Sequence, residues 1–127
     1  MSLLRAKYVA QAELICTAAT ARFREAEEIP GAELTDLEFD AAWSKAAARF
    51  SEKALAKLRA LVPPKADRDR VNRVLSSMEL LTDVLRQLAA AASEGDAARV
   101  RILAEERIRL THRKDGIAQR LALFWGV

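Results

Sequence analysis

The sequence predicts an all-α fold, an up-down-up-down four-helix bundle. Three observations carry that expectation. The first is composition: 26 alanines, 17 leucines and 15 arginines stand against four glycines, three prolines and one tyrosine, a mix rich in helix formers and poor in strand and turn residues. The second is punctuation, because only three positions along the chain break a helical pattern. The third is spacing, because apolar residues recur every three or four positions between the breaks. At 127 residues the chain has the size of one domain. The composition argues against an all-β fold and against a Rossmann-type nucleotide fold.

The first helix is expected over about 3–28, with the stripe Leu4, Tyr8, Ala12, Ile15, Ala19, Phe23 and Ala26. Pro30-Gly31 ends it, since neither residue suits a helix interior. The second helix, about 36–61, has the sharpest start. Thr35 and Glu38 form a Thr-x-x-Glu capping box, and Leu34 and Phe39 fall at the two positions of a hydrophobic staple. Its stripe runs Trp43, Ala47, Phe50, Ala54, Leu58 and Leu61. Pro63-Pro64 closes it and pushes Val62 out of helical geometry. The third helix, about 65–93, carries Val71, Val74, Met78, Leu81, Leu85, Leu88 and Ala92. Gly95 then suits the left-handed position after a helix, and Asp96 suits the cap of the next.

The fourth helix, about 97–125, carries Val100, Leu103, Leu110, Ile117, Leu121 and Phe124. Arg107 and Lys114 interrupt that line, and Gly116 after Asp115 suggests a kink or break. Each helix of some 25 residues would be about 38 Å long. Short connections make sequential neighbours antiparallel. Alanine lets the helices approach closely, while Phe23, Trp43, Phe50 and Phe124 fill the wider layers. Trp125 and Phe124 would close the end of the bundle.

Several chemistries lack the residues they need. One cysteine, Cys16, and one histidine, His112, cannot make a structural zinc site or a pair of Glu-x-x-His motifs. No P-loop and no Gly-x-Ser-x-Gly elbow is present. No cofactor and no metal is therefore expected, and no catalytic constellation. A haem held between Met78 and His112 lacks a recognisable pocket pattern. No run of 18 apolar residues spans a bilayer, and no signal peptide is visible.

The net charge is +3, and it is not evenly spread. Residues 1–30, 31–62 and 63–95 are each balanced, whereas residues 96–127 hold seven basic and four acidic side chains. The candidate interaction face is therefore Arg107, Arg109, Arg113 and Lys114. The competing reading is a solvated helix laced by pairs such as Glu105 with Arg109. If Arg107 and Lys114 point inward they need a carboxylate, for which Glu13 on the first helix is a candidate, or long stems that reach the bundle edge. Trp43 and Phe50 could line a ligand pocket, but ordinary core packing is the stronger reading of the two. Cys16, beside Ile15, reads as a buried and inert thiol.

Three stretches bear a resemblance to a known group. They are Tyr8-Val9-Ala10-Gln11-Ala12-Glu13-Leu14-Ile15-Cys16, Leu58-Arg59-Ala60-Leu61-Val62-Pro63-Pro64 with Asp67-Arg68, and Ala89 to Asp96 ending Glu94-Gly95-Asp96. The chain resembles small alanine-rich helical proteins exported by actinobacteria. The resemblance implies a bundle outside the cytoplasm, released or tethered by a lipid or by a membrane helix in a segment this chain does not contain. Such proteins commonly end in Gly-x-x-x-Cys, which implies a disulfide from the position of Cys16 to a second cysteine. This chain ends Gly126-Val127, so that partner is absent from it.

The expected function is a non-enzymatic extracytoplasmic module for protein interaction or ligand binding. The alternatives are a cytoplasmic helical module that self-associates as a homo-oligomer, or a protein that binds anions or nucleic acid through the basic fourth helix. A net charge of only +3 argues against nucleic acid.

Overall fold

A computed structural model describes residues 3–27 and 35–125, with side chains over 3–25 and 35–113. Four helices follow one another: α1 (Leu3–Glu27), α2 (Asp36–Ala60), α3 (Arg68–Ser93) and α4 (Ala97–Trp125), with a 3-10 turn at Lys65–Asp67. There are no strands among the described residues, and the architecture is a four-helix bundle. Each helix packs on its neighbour in sequence: α1 on α2, α2 on α3, and α3 on α4.

The helix ends are built by local chemistry. The Thr35 hydroxyl accepts from the Glu38 amide at 3.2 Å, and the Glu38 carboxylate accepts from the Thr35 amide at 3.4 Å. This is the reciprocal capping box; Leu34 of the staple lies outside the described residues. α2 ends as Leu61 turns extended (φ −80°, ψ 143°) ahead of Pro63-Pro64. The third helix starts later than expected, because the 3-10 turn uses up Lys65–Asp67 before regular α geometry begins. At its far end Gly95 has φ +75°. The Gly95 amide donates to Ala92 at 3.1 Å and the Asp96 amide to Ala91 at 3.0 Å. Together they form a Schellman motif, which satisfies two orphan carbonyls. Asp96 then accepts from the Arg99 amide at 3.1 Å and caps α4. The helix continues across Gly116 without a break. A single glycine costs about 1 kcal/mol relative to alanine, which a helix of 29 residues absorbs. The Pro30-Gly31 connection lies outside the described residues.

The centre of the bundle is the α2–α3 pair. α2 buries Ser44, Ala47, Ala48, Ser51, Ala54, Leu55 and Leu58. Five of the seven are alanine or serine, which lets the two backbones approach closely. Ser51 and Thr82 meet across this seam with their hydroxyls 2.5 Å apart, and the Thr82 hydroxyl also lies 2.8 Å from the Met78 carbonyl. α3 has a neighbour on each side, so its buried face is broader than one stripe. Leu75, Ser77, Thr82, Val84 and Ala91 are buried alongside the expected Val71, Leu85, Leu88 and Ala92.

The outer helices attach differently. α4 buries Val100, Leu103 and Leu110 against Val84, Leu88, Ala91 and Ala92 of α3. α1 buries one described side chain, Tyr8, among Leu55, Leu58, Val71 and Leu75. Ala12, Ile15, Ala19 and Phe23 of its stripe are half-buried, and Leu4 is exposed. Phe23 meets Phe50 edge-to-face, with ring centroids 6.3 Å apart. What fastens α1 is polar. Arg5 donates from Nε and Nη2 to the two carboxylate oxygens of Asp67 at 2.9 and 3.0 Å. Asp67 is fully buried, and Arg70 lies 3.9 Å from it.

Two outcomes follow for stability, both read by urea unfolding followed through the helical circular dichroism signal. Arg5→Ala is expected to cost about 3 kcal/mol, because it leaves a buried carboxylate without its bidentate partner and with only the more distant Arg70. Asp67→Ala should cost less, since Arg5 keeps some solvent access. In the seam, Ser51→Ala and Thr82→Val should each destabilise by roughly 1–2 kcal/mol, and the double variant by clearly less than their sum. Removing both partners leaves no unsatisfied buried hydroxyl there.

Candidate functional site: a cleft between α2 and α4

Grooves between the helices mark the described surface, and four of them are told apart by their charges. The α2–α3 groove, about 540 Å³, is lined by Glu52, Arg59, Glu79, Asp83 and Arg86. These side chains neutralise one another. Arg86 donates to Glu52 at 2.5 Å and to Asp83 at 2.6 Å, and Arg59 pairs with Glu79. The α1–α2 groove, about 280 Å³, shows Arg22, Lys53 and Lys57 beside Phe50. A shallow groove of about 580 Å³ lies where α1 meets the Pro63-Pro64 junction, with Tyr8 in its wall.

The fourth groove differs. It is a cleft of about 280 Å³ between α2 and α4, lined by Phe39, Asp40, Trp43, Ser44, Leu88, Val100, Ala104 and Arg107. On α2, Phe39 and Asp40 sit three to five residues before Trp43 and Ser44, which places all four on one side of the helix. On α4, Val100, Ala104 and Arg107 form the facing stripe by the same spacing. Leu88 of α3 makes the floor.

Arg107 is the residue that interrupts the apolar line of α4. Its guanidinium carbon stands 5.2 Å from the centroid of the Trp43 ring, a cation–π contact. Glu13 is exposed on α1, and no ion pair links it to Arg107 among the described residues. Of the two alternatives for Arg107, the Glu13 pairing does not form; the half-buried side chain reaches the edge of the bundle and makes a contact from α4 to α2. The physical reason is the order of packing. α1 leans on α2 and α4 leans on α3, so the side chain nearest Arg107 is an aromatic ring of α2.

Three polar groups of the cleft lack protein partners among the described residues. Asp40 makes no ion pair or hydrogen bond through its carboxylate. Arg107 makes its contact with the ring face and no ion pair. The Ser44 hydroxyl, on a residue only 1% exposed, makes no hydrogen bond. A buried hydroxyl without a partner is uncommon in a folded protein.

The structure distributes the basic residues of α4 around the helix. Arg107 turns toward Trp43. Arg109 is exposed and pairs with Glu106. Arg113 is exposed, as is His112. The Lys114 side chain lies outside the described residues, as do those of Ile117, Leu121, Phe124 and Trp125. Arg109 and Arg113 share one side of the helix, and Arg107 lies on another. Cys16 is exposed and not buried as its neighbour suggested. Ile15 takes the inward position, and one residue of helix rotation carries Cys16 away from α2. Met78 packs beside the Tyr8 cluster, and His112 is exposed on α4.

Sequence spacing identified Trp43 and Arg107 separately. It gave no signal for Ser44 or Asp40, which read as ordinary polar positions on α2. Comparison with protein-family models, curated proteins and solved structures finds no match to this chain. No described helix is long and apolar enough to cross a membrane.

Tyr8 supplies a pH-dependent outcome. Burial raises its pKa above the ordinary value of 10.0, and the neighbouring Cys16 charge adds to the rise. The unfolded chain therefore loses the phenolic proton first as pH increases. Stability attributable to Tyr8 is intact below pH 10 and falls as pH climbs above it. Tyrosinate absorbance should titrate late, and Tyr8 is the sole tyrosine. Tyr8→Phe should flatten the alkaline loss of stability.

Proposed function

We propose that this protein is a non-enzymatic binding module that holds a small ligand in the α2–α4 cleft, and that it works outside the cytoplasm. The observation that carries the binding reading is the unpaired polar set around Trp43: Asp40, Ser44 and Arg107 face one cleft and satisfy none of their hydrogen-bonding capacity on one another. Such convergence of a few polar groups on an otherwise apolar cleft is what small-molecule sites share. The volume of about 280 Å³ lies just under the usual span of such sites, roughly 300–1,000 Å³, so the ligand is small. The non-enzymatic reading rests on the chemistry of the cleft. Among the described residues no hydrogen bond joins Asp40, Ser44 and Arg107 into a base–nucleophile pair, and the one histidine is exposed on α4. The extracytoplasmic location rests on the resemblance of the Ile15-Cys16, Pro63-Pro64 and Gly95-Asp96 stretches to exported helical proteins.

Trp43 is the natural reporter. In a Trp125→Phe background its emission reads the cleft alone. A panel of small neutral, anionic, cationic and zwitterionic compounds should contain at least one that shifts Trp43 emission saturably and raises the melting temperature. Trp43→Leu should abolish the thermal gain. A panel in which no compound does either would overturn the binding reading.

A further inference from the structure

We infer that the ligand of the α2–α4 cleft is a small zwitterion, an α-amino acid with an apolar side chain, held by its carboxylate on Arg107 and by its ammonium on Asp40. This rests on the binding reading above and specifies its chemistry.

The argument begins with two opposite charges that face one small cleft and do not pair. Asp40 and Arg107 both line it, yet no ion pair joins them among the described residues. They sit on opposing walls, one on α2 and one on α4. The Trp43 ring holds the guanidinium at 5.2 Å. The ring is not a hydrogen-bond acceptor of the carboxylate kind, and no carboxylate or carbonyl among the described residues takes the guanidinium N–H groups, which leaves them to donate. Those groups form a planar fork that matches a carboxylate in two parallel bonds. An ionised Asp40 can only accept hydrogen bonds, which an ammonium group supplies.

The two charges also define what the cleft rejects. A simple anion attracted by Arg107 meets the carboxylate of Asp40. A simple cation attracted by Asp40 meets Arg107. A molecule carrying both charges satisfies both walls, so discrimination arises from repulsion as well as attraction. A peptide terminus carries only one of the two charges and does not qualify. Ser44 supplies the third polar contact, since its unpartnered hydroxyl can donate to a carboxylate or accept from an ammonium. The rest of the lining is apolar and includes Phe39, Leu88 and Val100, which suits an aliphatic side chain.

The test uses the full chain carrying Trp125→Phe, with L-leucine, leucinamide, N-acetyl-L-leucine and 4-methylpentanoate as probes. None of these absorbs where Trp43 emits. The readouts are Trp43 fluorescence titration and calorimetry. L-leucine is expected to bind, and each probe lacking one charge should bind at least about tenfold more weakly. Arg107→Gln should weaken L-leucine while narrowing its margin over leucinamide. Asp40→Asn should narrow its margin over N-acetyl-L-leucine. Both variants replace exposed or half-exposed groups, and circular dichroism melts check that they remain folded. Equal binding of L-leucine and a singly charged probe would overturn the zwitterion assignment and leave the binding reading standing. The same holds if a compound of the broader panel binds and none of the leucine series does. Failure of every compound in both sets overturns both readings. A further overturning result is a double-variant cycle in which Asp40 and Arg107 stabilise the free protein jointly, because the two would then serve one another.

Discussion

The fold depends on how closely α2 and α3 approach. Ser44, Ala47, Ala48, Ser51 and Ala54 form the buried edge of α2, and none has a side chain beyond one or two heavy atoms. Close approach brings the two backbones together but leaves little apolar volume between them. The seam therefore cannot be stabilised by large side chains alone, and hydroxyls occupy part of it. Ser51 and Thr82 satisfy one another, and Thr82 reaches the Met78 carbonyl as well. A buried polar pair with its partners present favours one register, because sliding the helices by one turn would strand the Ser51 hydroxyl, while Thr82 would keep its bond to Met78 within α3. The larger residues are displaced to the flanks of the pair, where α1 and α4 cover them.

The outer helices then meet different requirements. α4 finds a broad apolar surface on α3 and needs no polar anchor there. α1 offers mainly alanine and half-buried residues to α2, and Leu14 on its outer side remains 73% exposed. Apolar burial along α1 is modest, so the bidentate contact from Arg5 to Asp67 carries unusual weight in setting its position. The contact joins the start of α1 to the 3-10 turn that links α2 and α3. It couples the least buried helix to the junction of the two most buried ones. Breaking it would free one end of α1 while the α2–α3 seam and the α3–α4 core kept their own contacts.

Much of this architecture is legible in the sequence, and the parts that are not share a physical origin. Helix ends are local events. Thr35 with Glu38, Pro63-Pro64 and Gly95-Asp96 each act within a few residues, so their positions can be read without knowing the fold. Apolar periodicity is also local, and it identifies Tyr8, Leu58, Val71, Leu85 and Val100 as inward-facing. Periodicity by itself does not show how wide the buried face of a helix is. α3 has two neighbours, so Leu75 and Val84 are buried although they lie off the narrow stripe. Nor does it find buried polar residues. Asp67 looks like any acidic residue near a helix start until Arg5, 62 positions away, is placed beside it. Ser44, Ser51 and Thr82 look like solvent-facing positions until the seam between α2 and α3 is built. Cys16 shows the converse error, for an apolar neighbour in sequence is not a neighbour across the interface.

The cleft follows from the same geometry. α2 and α4 both flank α3 without packing closely on each other, so the space between them is spanned by side chains and not by backbones. Trp43 and Arg107 are the two long side chains that reach across it. An arginine on the apolar line of α4 would be costly if it were fully enclosed. At the edge of an open cleft it keeps part of its hydration and gains the ring face of Trp43. A lysine at this position would place a compact, strongly hydrated charge over the ring and would lose the planar fork. The sequence alone makes Arg107 a defect in a helix stripe. In the bundle it is the residue that turns an incomplete helix–helix interface into a polar-lined cavity, and that change of meaning comes from the relative rotation of two helices, which no single-helix pattern encodes.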